Sequence, residues 1–351
     1  MIPELTLAGP PRDRGRQHGE ELRGLIAAAV DAWFEDLAPR TEPGAFVAEV
    51  AASGLLAAAE AHAPDLMAEV AGIAEGAGQG FNTMFAWQLI DECWWYLDDL
   101  EAEGAAERSG RERCSALAVN HAGQGFVAQT QDLYRHCDGT QVMLRYLDQS
   151  GLEVLVPSLA GLLALNGVNS AGVAVCVTTL SQLTHGSDGV ASGLLVPMLL
   201  RCTSIDEALA LLRRVPIASG NSFVIGVCHR SLAVEVSSKA MRVVADGERA
   251  LHTNHTLALE AVHTFRHFEN SVQRLAQLDE QVRPGSTLDD LAAVYSSGAV
   301  CQSRATNSPL MSVGTMIFDL GDELACHYAP GPLDTDELVT YRMKSRAGAA
   351  I

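Results

Sequence analysis

Residues 113–132 of this 351-residue chain read RCSALAVNHAGQGFVAQTQD. Apolar runs on either side of a Gly-Gln-Gly turn, at Ser115–Val119 and Phe126–Gln131, predict an antiparallel hairpin. Strands of about six residues, at ~3.3 Å per residue, bring the chain back to the place where the hairpin began. Cys114 and Asp132 are therefore expected to be neighbours in space.

The regions on the two sides of this hairpin have different apolar periods. From Gln17 to about Leu100, apolar residues recur at three- and four-residue spacing, which predicts helices. Residues 101–113, EAEGAAERSGRER, are polar and predict an exposed, flexible connection. Downstream, runs of short strands are interrupted by grouped helices, among them a long helix predicted over Leu257–Gln281. This arrangement indicates antiparallel sheets covered by helices, an α+β fold.

Composition excludes several classes of partner. The net charge of −19 argues against nucleic acid, because phosphate binding needs clustered Lys and Arg. No apolar stretch approaches the ~18 residues of a membrane-spanning helix, and Met1–Gly15 shows no secretory signal, so a cytoplasmic protein is expected. The eight cysteines form no C-x-x-C pair, and we expect neither a metal site nor a cofactor.

One cysteine, Cys114, differs from the others in its setting. It opens a strand directly after the flexible connection, whereas Cys176 lies in an apolar run and is expected to be core packing. By position alone, Cys114 would be an ordinary strand-end thiol. The nearby carboxylate of Asp132 favours a nucleophile, because it can orient an α-amino group beside the thiol.

A polar cluster at Leu251–Thr256, LHTNHT, closes a predicted strand. The amide of Asn254 can donate a hydrogen bond to a developing oxyanion. By spacing alone the commoner role of such a residue is a helix N-cap. Both roles stay open at this point.

These motifs, taken in order, resemble the isopenicillin N acyltransferase family of self-processing, N-terminal nucleophile hydrolases. The resemblance runs through almost the whole chain and rests on Gly9-Pro10-Pro11, Gly15-x-x-His18-Gly19, residues 72–77, Cys114-Ser115, Gly167–Val175, Thr253-Asn254-His255 and residues 328–332. It implies a four-layer αββα sandwich of the N-terminal nucleophile hydrolase type. A helical N-terminal segment, 1–113, and a catalytic segment, 114–351, would form one domain.

The resemblance also implies roles for particular residues. The chain would cut itself between Arg113 and Cys114, and the two fragments would stay associated as a heterodimer. Cys114, Asp132 and Asn254 would be catalytic. Leu133 and Tyr134, just past the carboxylate, would bind substrate.

The implied activity is that of an amidohydrolase or acyltransferase of specialised metabolism, acting on a small N-acyl or amide metabolite through an acyl-enzyme thioester. Hydrolysis and acyl transfer both stay open. Three features depart from the family pattern. Arg113 stands where glycine is usual, and Thr130-Gln131 replaces Asn-Trp before the aspartate. An arginine that penicillin acyltransferases carry before a late strand has no clear equivalent, although Arg304 could reach the site. The alternatives are an unprocessed, non-catalytic relative that binds a small ligand, and a protease of the Cys-His type.

Overall fold

A computed structural model describes residues 2–101, 107–108, 113–148, 150–265 and 268–344. Its helices are α1 (Pro11–Glu21), α2 (Arg23–Leu37), α3 (Pro43–Ala52), α4 (Gly54–His62), α5 (Pro64–Ala77), α6 (Phe81–Gln88), α7 (Ile90–Glu101), α8 (Ser192–Leu199), α9 (Ile205–Arg214), α10 (Phe268–Gln281) and α11 (Leu288–Tyr295). Its strands are β1 (Glu4–Ala8), β2 (Glu107–Arg108), β3 (Arg113–His121), β4 (Gln124–Tyr134), β5 (Gln141–Leu147), β6 (Glu153–Leu159), β7 (Asn166–Asn169), β8 (Ala174–Thr179), β9 (Asn221–Val227), β10 (Arg230–Val236), β11 (Met241–Gly247), β12 (Arg249–His252), β13 (Thr264–Phe265), β14 (Leu310–Asp319), β15 (Ala325–Ala329) and β16 (Val339–Arg342).

Two large sheets contain nearly all of these strands. The larger has the order β1-β5-β6-β7-β8-β9-β10-β11, with β1 parallel to β5 and every other pair antiparallel. The smaller, fully antiparallel sheet has the order β12-β3-β4-β14-β15-β16. The strands β2 and β13 pair only with each other. Because β1 precedes the predicted cleavage point, the segment before Cys114 contributes a strand to the larger sheet.

Three apolar clusters show how the layers stack. Small and apolar side chains such as Ala116 of β3 and Cys176 of β8 fill the space between the two sheets. The outer face of the larger sheet packs against helices α1–α9. The outer face of the smaller sheet packs against α10 and α11. The prediction of a four-layer αββα sandwich with a helical N-terminal segment is confirmed.

Glycines in two of the N-terminal motifs allow α1 and α5 to touch through their backbones. A Cβ placed on Gly15 would lie 2.1 Å from the carbonyl oxygen of Glu69, and one on Gly76 equally close to that of Arg16. No larger residue fits at either position without separating the helices. The motifs at the start of the chain therefore serve helix packing.

Within the described ranges, no single helix is long and apolar enough to cross a membrane. The consecutive helices α3 and α4, bent by 53°, reach that length and composition only as a pair.

Several element boundaries differ from those predicted. The helix expected over Leu257–Gln281 begins only at Phe268. Residues 253–263 form an irregular segment instead, because side chains of α10 and β10 bind its backbone N–H groups. The strands β1 and β16 were not predicted. Most of the predicted processing loop 101–113 lies outside the described residues.

Candidate active site

The hairpin formed by β3 and β4 brings the two predicted catalytic residues together. In its register Arg113 pairs with Asp132, and Cys114 pairs with Gln131. Side chains alternate along a strand, so Cys114 shares the inter-sheet face with Ala116, while Asp132 lies on the opposite face. The Asp132 carboxylate therefore lies opposite Arg113 and not directly beside the thiol of Cys114.

The carboxyl group of Asp132 is fully buried. Its Oδ1 accepts a 2.6 Å hydrogen bond from the Ser312 hydroxyl, and Oδ2 has no hydrogen-bond partner among the described residues. Burial raises the pKa of Asp132 to about 7, against the opposing effects of Ser312 and of the positive charges of Arg274 and Arg113. A carboxyl with this pKa can both take up and release a proton near neutral pH.

Asn254 is in direct contact with the main chain of Cys114. Its Oδ1 accepts the backbone N–H of Cys114 at 2.7 Å and a second hydrogen bond, of 2.9 Å, from Nη2 of Arg274. Its Nδ2 donates to the carbonyl oxygen of Thr179 at 3.1 Å. Two donors at Oδ1 and an acceptor at Nδ2 fix the orientation of the amide. Asn254 thus binds the nitrogen that cleavage would turn into an α-amine.

The helix-cap role for Asn254 is wrong. The next helix, α10, begins at Phe268, fourteen residues further along the chain. The backbone of Asn254 is held instead by side chains. Its N–H donates to Oγ of Ser271 at 2.8 Å, and its carbonyl oxygen accepts from Nε2 of Gln182 at 2.9 Å.

The sequence analysis missed Arg274, a fully buried residue of α10. Besides its bond to Asn254, its guanidinium donates to the carbonyl oxygen of Cys114 and, at 2.9 Å, to the hydroxyl of Ser115. Burial lowers the pKa of Arg274, although the nearby Asp132 and Cys114 act in the opposite direction. No apolar pattern pointed to it, because the buried face of α10 carries Ser271 and Arg274, whereas the apolar Val272 is exposed.

Arg304, the arginine expected to be able to reach the site, binds elsewhere. Its guanidinium pairs with Asp138 at 2.9 Å and also with Asp336. Arg274, on α10, lies beside Cys114 instead.

The remaining predicted residues surround the hairpin end. Arg113 donates from Nη1 to Oε1 of Gln302 at 3.1 Å. Tyr134 is buried and stacks on His136 with ring centroids 5.6 Å apart, and Leu133 is partly buried against the same apolar cluster. A substrate-binding role for Leu133 and Tyr134 stays a prediction. In the described part of the chain, no group of three or more His, Cys, Asp or Glu side chains is placed to hold a metal ion.

Cys114 is the second residue of an inner strand of the αββα sandwich, and Asn254 and Arg274 bind its main chain. This arrangement fits an amide-acting enzyme of the N-terminal nucleophile class. Comparison with known proteins gives the family. The family described as acyl-coenzyme A:6-aminopenicillanic acid acyl-transferase matches residues 119–297, just over half of the chain. The chain belongs to this family, and is an acyltransferase or an amide hydrolase acting on non-peptide C–N bonds.

Individual relatives are similar at modest identity. The 40 kDa form of acyl-coenzyme A:6-aminopenicillanic-acid-acyltransferase from Emericella nidulans is 26% identical over 257 residues, which cover 72% of this chain and 69% of the relative. Among solved structures, a single-residue variant of conjugated bile acid hydrolase from Clostridium perfringens has a TM-score of 0.44 at 12% identity, covering 68% of this chain and 100% of that one. Penicillin V acylase from Agrobacterium tumefaciens has a TM-score of 0.40 at 14% identity, covering 66% and 86%.

Proposed function

We propose that Cys114 is the nucleophile of a self-processing amide hydrolase or acyltransferase, freed by cleavage of the Arg113–Cys114 bond. The observation that carries this proposal is the 2.7 Å hydrogen bond from the Cys114 N–H to Asn254. Together with the bond from Arg274 to the Cys114 carbonyl oxygen, it holds the residue on both sides. A new α-amine would therefore stay in place after the cut.

Maturation would proceed by an N-to-S acyl shift. The thiol of Cys114 attacks the carbonyl carbon of Arg113, and the C–N bond breaks as the nitrogen takes a proton, which leaves a thioester and a free α-amine. Water then hydrolyses the thioester, giving a carboxylate on Arg113 and the free thiol. Asp132 would exchange that proton, and its position opposite Arg113 in the register and its pKa of about 7 support this role.

Turnover would use the α-amine as the base. Its unperturbed pKa of about 8 lies close to working pH, so it can take the thiol proton. The thiolate attacks the substrate amide, the tetrahedral intermediate collapses, and the amine leaves with a proton. The acyl group, held as a thioester, passes to water or to a second amine. Asn254 would help to stabilise the oxyanion, since its Nδ2 carries a second hydrogen besides the one given to Thr179.

The substrate class that fits this chemistry is a small N-acyl or amide metabolite of specialised metabolism, and the reaction would take place in the cytoplasm. Assaying a panel of N-acyl amino acids, β-alanyl amines and β-lactams would identify the substrate type. Hydrolysis and transfer would be separated by adding an amine acceptor and measuring how the acyl group divides between acid and amide products.

After cleavage the fragments 1–113 and 114–351 would remain associated. The first fragment supplies β1, which pairs with β5 over five residues, and helices that cover the larger sheet. Both contacts would survive the loss of one peptide bond. The heterodimer therefore follows from the fold once the cut is made.

Mass spectrometry of the denatured protein tests the proposal. Wild type should give two fragments, the second starting at Cys114, and Cys114→Ala a single chain without turnover. Cys176→Ala, which removes a thiol from the inter-sheet core, is the matched control and should process normally. An intact wild-type chain with full amidase activity would exclude the mechanism. An intact, inactive chain that binds a ligand would favour the non-catalytic alternative. Arg113, which stands where the family usually has glycine, is the feature that supports this alternative.

A further inference from the structure

One buried carboxylate binds the chain on both sides of Asn254. Glu235 of β10 and His252 of β12 are both fully buried, with Oε1 and Nε2 3.0 Å apart. The same carboxylate accepts the backbone N–H groups of Ala258 at 3.0 Å, Leu259 at 2.7 Å and also Leu257. The residues before and after Asn254 therefore share one anchor.

The hydrogen bonds of His252 require both ring nitrogens to carry protons. Nδ1 lies 2.7 Å from the carbonyl oxygen of Thr253, which can only accept. The nearby hydroxyl of Thr178 gives its single proton to that same oxygen, so it cannot donate to the ring. Nε2 faces the Glu235 carboxylate. Both ring nitrogens of His252 thus face fixed acceptors, and its contact with an ionised Glu235 is an ion pair.

The surroundings of Glu235 favour its ionised form. Burial raises the pKa of this carboxyl, but the hydrogen bonds from His252 and from the backbone of Leu257 and Leu259 outweigh burial and lower the pKa below its usual value. A carboxylate that accepts several N–H groups is stabilised as the anion. The pair is thus a buried ion pair, two residues along the chain from Asn254.

We propose that the Glu235–His252 ion pair positions Asn254, and through it the nitrogen of Cys114, for self-cleavage and for nucleophilic attack. The role rests on the proposed function. Removing two charges from water is costly, and a buried ion pair seldom adds net stability, so we assign this pair, two residues along the chain from Asn254, a role in geometry. Displacing a reacting group by about 1 Å can cost on the order of 10²-fold in rate.

The alternative is that the pair only stabilises the fold. A second buried ion pair provides the matched control. Arg14 and Glu69 join α1 to α5 at 2.6 Å in the outer helical layer, with both side chains also buried. Glu69→Gln removes the same charge by the same substitution, without touching the segment that carries Asn254.

The test compares Glu235→Gln with Glu69→Gln in the full chain. The quantities measured are the rate of self-cleavage, the rate at which iodoacetamide alkylates Cys114 in processed protein, and the free energy of unfolding. We expect Glu235→Gln to slow cleavage and alkylation by about 10²-fold, and Glu69→Gln to leave both rates near wild type even where it lowers stability. Wild-type rates in folded Glu235→Gln would overturn the inference.

A second measurement leaves Glu235 and His252 unchanged and does not depend on activity. In intact Cys114→Ala protein, NMR of ¹⁵N-labelled histidine should show two slowly exchanging ring protons on His252, and a single ring proton would refute the ion pair. The proposed function fails separately, if Cys114→Ala retains cleavage or turnover. An inactive Cys114→Ala together with a fully active Glu235→Gln would refute only the positioning role of the Glu235–His252 pair and leave the proposed function intact.

Discussion

Replacing Asp132 by asparagine is expected to stabilise the folded chain at alkaline pH while it impairs maturation. The pKa of this fully buried carboxyl is raised from 3.8 to about 7, chiefly by burial. One pKa unit corresponds to about 1.4 kcal/mol, so the difference amounts to about 4 kcal/mol. This is the free energy with which the ionised carboxylate opposes folding above pH 7.

The sign follows from proton binding. Between pH 3.8 and about 7 the folded chain keeps a proton on Asp132 that the unfolded chain has released. The free energy of unfolding therefore falls as pH rises through this window. Asparagine has no such proton, and its amide oxygen can still accept the hydrogen bond from Ser312. The variant should match the parent near pH 4 and exceed it by about 4 kcal/mol at pH 8.

Urea unfolding across this pH range would measure the difference. Both proteins should carry Cys114→Ala, so that each is one intact chain, and Asp322→Asn serves as a control because it makes the same substitution at an exposed carboxylate. If Asp132→Asn lost more stability at pH 8 than at pH 5, the carboxylate would be stabilised as an anion and the reasoning would be wrong. With Cys114 present, Asp132→Asn should cleave slowly. The basic inflection of its pH-rate profile should move downward, because a nearby carboxylate raises the pKa of an amine.

Three further substitutions separate the roles of neighbouring groups. Asn254→Ala should lower kcat by a factor on the order of 10²–10³ with KM little changed; a near-normal kcat per folded active site would remove it from the site. Arg274→Lys should slow self-cleavage at least about tenfold, because one ammonium replaces a fork of donors; unchanged cleavage would make the guanidinium dispensable. Iodoacetamide should inactivate the processed enzyme through Cys114, as peptide mapping would show, while Cys176→Ala keeps its activity; inactivation through another thiol would contradict the assignment.

Local sequence pattern predicted the central hairpin because its signals are short-range. Alternation and the glycine turn define β3 and β4, and strand geometry then places Asp132 opposite Arg113. The prediction that Cys114 and Asp132 are neighbours is confirmed at the level of register, although their side chains lie on opposite faces of the sheet.

The predictions that failed depended on residues distant in sequence. The start of α10 was placed too early because the N–H groups at 257–259 are satisfied by Glu235, more than twenty residues upstream. Arg274 was missed because the buried face of α10 carries Ser271 and Arg274, so apolar periodicity does not mark it. Arg304 does not reach the site because it forms ion pairs with Asp138 and Asp336, which no motif revealed.

The pairing of β1 with β5 has a consequence for how the protein folds before and after cleavage. Strand β1 and the covering helices belong to the part of the chain that cleavage would detach, yet they close one edge and one face of the larger sheet. A chain begun at Cys114 would expose that edge of β5 and a broad apolar surface, both of which promote aggregation. The intact precursor would therefore fold with both segments in one chain. After cleavage, unfolding would no longer be readily reversible. Once denatured, the separated pieces would have to find each other in solution.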